Sequence, residues 1–107
     1  MTTNMNVLGK LHILETLYRS GYQSDVIERA IDKLIALEQD RVRHELTELK
    51  TRLKAFEAQY LMSSDQFYRR YERGELGDSA DFVEWSSFYD MSQLAQQHLD
   101  GLTGELP

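Results

Sequence analysis

The side chains of this chain that could act on a substrate or hold a metal are few, and their spacing suits neither task. His12, His44 and His98 lie far apart and share no motif with a carboxylate, so they read as solvated residues, not as ligands or general bases. Asp78, Asp81 and Glu84 recur every three residues and could share one face of a helix. A calcium loop gathers its oxygens on a turn, however, and no EF-hand pattern is present. Acids at a helix start are favoured by the helix dipole in any case. Gly74 and Gly77 enclose Glu75 and precede Asp78, placing acids where a phosphate-binding loop needs a Lys. Ser63-Ser64 and Ser86-Ser87 have neither a nucleophile elbow nor a His partner. With no Cys there is no thiolate ligand, cysteine nucleophile or disulfide. The expectation is a protein that is not an enzyme and takes no metal or cofactor.

Charge and aromatic rings carry more information. Residues 1–63 hold nine bases and nine acids, so the whole net charge of −6 lies in residues 64–107. After Arg73 come seven acids and no Lys or Arg. A one-signed segment repels nucleic acid and attracts basic partners. Eight of the eleven aromatics fall between Tyr60 and Tyr89, on this same acidic background. Phe67, Tyr68, Tyr71, Phe82, Trp85, Phe88 and Tyr89, with Leu76 between them, therefore suit a small local core or the anchors of an interface. Arg41, Arg43, Lys50, Arg52 and Lys54 alternate with Glu45 and Glu48, which is the pattern of a solvated coiled-coil flank and not of a nucleic-acid patch.

Helical elements must position these residues. Residues 2–7 alternate weakly, as a short strand would. Leu8, Leu11, Leu14 or Ile13, Leu17 and Tyr18 then follow helical spacing up to Ser20-Gly21, a stop signal. Ser24 or Asp25 can cap the next helix, and Asp25 with Glu28 forms a capping-box-like pair. No Pro or Gly interrupts the chain from there to Gly74. Ile27, Ala30, Ile31, Leu34 and Leu37 make one apolar stripe, which shifts before Val42. Val42, Leu46, Leu49, Leu53, Phe56 and Tyr60 then alternate in spacings of four and three, the seam of a coiled coil. A helix from residue 25 to about 60 would reach about 54 Å, too long to bury its stripe against two short helices. Self-association through Ile31, Leu34 and the residues from Val42 to Tyr60 is expected. Ser63 and Gln66 have capping-box spacing, and Ser79 or Asp78 caps a last helix.

The expected fold is thus all-α and oligomeric, a long central coiled-coil-like helix with short flanking helices. Its single domain divides into an arm and short helix (1–24), the long helix (25–61), an acidic aromatic helical hairpin (62–101) and a frayed tail (102–107). The N-terminus MTTNMNVLGKLH has no apolar run suited to a signal peptide or membrane span, so the expected compartment is the cytoplasm, with no membrane partner.

Two segments resemble known families. Gly21, Ser24, Ile27, Ala30 and Ile31 match the turn and second-helix start of ribbon-helix-helix DNA-binding proteins. That resemblance makes operator DNA a partner, with Thr2, Asn4 and Asn6 as readers of the major groove and Lys10 the only base nearby. Residues 22–91 resemble small prokaryotic antitoxins of type II toxin–antitoxin modules, most distinctively in MSSDQFYRRYERGELGDSADFVEWSSFYDM, residues 62–91. It implies a protein that neutralises a cognate toxin and often binds its own operator. An acidic, aromatic C-terminal part would suit a basic, RNA-cleaving toxin, with Phe67, Tyr68, Tyr71, Leu76, Phe82, Trp85, Phe88 and Tyr89 as the contact set. The alternative is a coiled-coil adaptor or structural homo-oligomer without a toxin.

Overall fold

Each helix begins and ends where the sequence supplies a cap. In the computed structural model, which describes residues 6–104, Asn6 Oδ1 accepts the Gly9 N–H at 2.9 Å and opens α1, Val7–Arg19. Gly21, at φ +97°, closes it: the Gly21 and Tyr22 N–H groups reach back to the carbonyls of Tyr18 and Leu17. Ser24 Oγ accepts from the Ile27 N–H, starting α2, Asp25–Tyr60. Ser24 is therefore the cap, and Glu28 does not reach back to Asp25 but accepts the Tyr18 hydroxyl at 3.0 Å. The full capping box of Ser63 and Gln66 opens α3, Ser64–Glu72, which stops at Gly74 with φ +76°. Ser79 accepts from the Phe82 N–H and opens α4, Ala80–Leu102.

The fold is all-α, with no strand among the described residues. The expected ribbon over residues 2–7 fails where it can be seen, because Asn6 is a helix cap and Val7 is helical. Residues 2–5 lie outside the described part. The expected fraying from residue 102 is also overturned in part. Leu102 ends α4, packs on the core, and its carbonyl accepts from Gln39 Nε2 at 2.9 Å.

The chain divides into two units, residues 1–33 and 34–107, and α2 contributes to both. In the second unit α4 runs antiparallel to α2. Val42, Leu46 and Leu49 pack with Ala95, Leu99 and Leu102, whereas Leu53, Phe56 and Tyr60 meet Phe82, Trp85 and Phe88. The side chains from Val42 to Phe56 in the expected oligomerisation seam are thus buried inside their own chain, and Tyr60 is half-buried there. Spacing reports an apolar face and not what covers it. The covering helix α4 has 23 residues, about 35 Å of helix, enough to line this part of α2. Of the expected seam only Ile31 and Leu34 stay exposed.

Phe67 and Trp85 are fully buried and stacked, ring centres 3.9 Å apart and planes 3° apart. Phe56 lies 5.4 Å from Trp85, also nearly parallel. The indole N–H donates to Ser64 Oγ at 2.9 Å, so α3 is fixed across α4 by stacking and by a satisfied buried polar group. We expect Trp85→Ala and Phe67→Ala each to cost about 3–5 kcal/mol in urea unfolding, the range for emptying a large buried aromatic site. At the end of α2, Leu61 adopts φ +54° with its side chain 90% exposed, and the Met62 N–H caps the Glu57 carbonyl. Left-handed backbone costs a branched residue about 1–2 kcal/mol, and no apolar burial offsets it here. Leu61→Gly should therefore raise the unfolding free energy by about 1 kcal/mol; a loss of stability would show that Leu61 is not strained.

Candidate protein-binding surface

The eight residues expected to contact a partner separate into core and surround. Phe67 and Trp85 are inaccessible and cannot be interface anchors. Tyr68, Tyr71, Leu76, Phe82, Phe88 and Tyr89 are half-buried and pack around them. The Arg52 guanidinium lies 5.1 Å over the Phe88 ring and covers its outer side. The sequence shows the density of rings but not that the rings fill one another's space.

Acids on α3 and α4 tie this cluster together. Tyr68 of α3 donates to Asp90 of α4 at 2.7 Å, and Tyr89 of α4 donates to Asp65 of α3 at 2.6 Å. The two phenol rings stack between these crossed bonds, 4.4 Å apart. Tyr60 makes a third such bond, to Asp81. The bond to Asp90, then burial, then the charge of Asp90 push the Tyr68 phenol up to about 12. Tyr89 and Tyr60 are also raised, each first through its hydrogen bond to the carboxylate.

Outside this cluster, α4 presents a different face. Val83, Met91 and Leu94 are about half exposed. With Ser87 and Asp90 they fall within about 100° of one another at 3.6 residues per turn. Asp81, Glu84, Asp90 and Asp100 are the charges of α4, which has no Lys or Arg at all. The result is an apolar stripe on a helix whose own carboxylates are matched by no Lys or Arg of that helix. Sequence reasoning did not single out Val83, Met91 and Leu94 as a surface, although with Ser87 they recur at intervals of four, four and three, the spacing of one helix face.

The remaining candidates do not converge. Ser86 and Ser87 both donate to the Val83 carbonyl, and Ser64 receives the Trp85 indole. His44 bonds the carbonyl of Asp40 one turn earlier, and His12 lies 3.7 Å from Glu15 on the exposed side of α1. No group of three metal-ligating side chains occurs among the described residues. Arg70 and Arg73 pair with Glu75. Asn6, expected to read DNA, spends its side-chain oxygen on the α1 cap, and Lys10 is exposed on α1. Thr2 and Asn4 lie outside the described residues. No helix among the described residues is long and apolar enough to cross a membrane.

Compared with protein-family models, curated proteins and solved structures, the chain matches none.

The tyrosine–aspartate bonds have a pH signature. A phenol whose pKa is raised by folding adds stability that is complete below the ordinary value near 10 and is lost as pH rises through the folded value. Urea midpoints should hold through pH 9 and fall between about pH 10 and 12. Tyr68→Phe should flatten that fall relative to the parent, and an unchanged slope would remove Tyr68 as its cause.

Proposed function

We propose that this chain is an antitoxin, a non-enzymatic protein that neutralises a small basic toxin by binding it on the outer face of α4. One observation carries the reading: Val83, Met91 and Leu94 stand exposed beside Asp90 on a helix that has acids and no bases. Negative charge steers a basic partner and suppresses acidic ones, while the apolar side chains supply surface to bury. The resemblance of residues 62–91 to antitoxins supports the same reading, and those residues build α3 and the first half of α4. In this account the rings of that segment hold the face in shape and the smaller side chains make the contact. The adaptor alternative is weakened, because most of the seam from Val42 to Tyr60 is occupied by α4.

The test is recovery of the tagged protein from its native cells at moderate salt. The expected result is one small, basic, stoichiometric partner whose expression alone stops growth and whose co-expression with this chain restores it. Val83→Arg combined with Leu94→Arg should abolish recovery and rescue at an unchanged melting temperature. Recovery of the chain alone would move the assignment to a structural homo-oligomer. Loss of rescue only in core variants, with the α4 double variant fully active, would place the contact elsewhere.

A further inference from the structure

Among the described residues, the first unit has no buried core of its own. Neither α1 nor the portion of α2 before Leu34 contains a buried residue. Val7, Leu8, Leu11 and Val26 are between 53% and 76% exposed. On α1 apolar residues sweep from Ile13 through Leu17, Leu14 and Leu11 to Leu8, roughly 220° of the circumference, interrupted only by Lys10 and Glu15. A single neighbouring helix covers a stripe of about 100°. A 13-residue helix is marginal in water without such cover, so α1 needs a second surface.

That surface is already shaped. Tyr18 accepts the Ser24 N–H at 3.0 Å and donates to Glu28, fixing the hairpin of α1 and the start of α2. Between these helices lies an open groove of about 460 Å³, lined by Leu11, Leu14, Tyr18 and Ile31 and by the acids Glu15, Glu28 and Asp32, of which Glu15 is paired with Arg19. Lys10, Arg29 and Lys33 have no ion-pair partner among the described residues. Residues 1–33 thus offer both acids along the groove and unpaired bases, four acids and four bases in all, whereas residues 34–107 hold the entire −6.

We infer that a second copy of this chain docks on this hairpin, groove against groove, in a two-fold dimer. A unit of zero net charge that carries both signs can pair with a copy of itself without the net like-charge repulsion that residues 34–107 would meet. A strongly basic or acidic partner finds no matching net charge here. The inference does not depend on the antitoxin assignment, since it concerns a different unit and a different partner.

The experiment is sedimentation equilibrium of the full-length chain at micromolar concentration. The parent should be a dimer, and Leu11→Glu combined with Ile31→Glu should weaken association at least 100-fold. Leu8→Glu changes a side chain that is 74% exposed, so it tests association with little to lose in folding. It too should weaken the dimer, and the near-ultraviolet circular dichroism of the aromatic cluster should stay the same in all variants. A monomeric parent at 100 µM, or dimers that persist in both variants, would overturn the inference. So would a monomeric parent that binds a basic protein through Leu11.

Discussion

The stack of Trp85 between Phe67 and Phe56 is the constraint on which the second unit depends. Three helices each supply one ring, and nearly parallel planes at 3.9 and 5.4 Å leave little room for any of them to rotate. The indole N–H fixes the remaining freedom by donating to Ser64, and no buried side-chain polar atom among the described residues lacks a partner. Ser64 is in place because the Ser63 capping box starts α3 at that residue. A local signal of four residues therefore sets the register of a tertiary contact, and the contact in turn decides which face of α4 points outward.

Carboxylates serve two purposes on this frame. Asp65, Asp81 and Asp90 accept phenol hydrogen bonds that lace α3 and α2 to α4, which places negative charge at the edges of the aromatic cluster. Bonds of this charged kind are stronger than neutral ones, and they keep the rings half-buried instead of free. The other acids of α4 have no base on their own helix to neutralise them. In the proposed function, stability and recognition draw on the same residue type within one helix. The apolar side chains that α4 leaves exposed are the modest ones, Val83, Met91 and Leu94, and not the conspicuous aromatics.

Much of this organisation is legible in the sequence. Gly21 and the pair Ser63 and Gln66 mark helix ends through backbone rules that act locally, and the structure uses each as expected. The apolar face from Val42 to Tyr60 is equally legible, but its partner is not. Periodicity is a property of one helix, while the choice between another chain and α4 depends on how far α4 extends. The rings of α4 misdirect for a related reason. Phe82, Trp85, Phe88 and Tyr89 dominate the helix, and only packing shows that they meet Tyr60, Phe56 and Tyr68, leaving the weaker stripe of Val83, Met91 and Leu94 outside. Leu61 could not have been foreseen, since a branched residue in left-handed backbone opposes its own preference.

The central claim is that the aromatic cluster is a core and that partners meet the face it supports. Trp85 is the sole tryptophan, so its fluorescence reports on the claim directly. The account predicts blue-shifted emission, poorly quenched by acrylamide in the free protein and unchanged when a basic partner binds. Red-shifted, readily quenched emission that becomes protected only in the complex would contradict it, because Trp85 would then be an interface anchor.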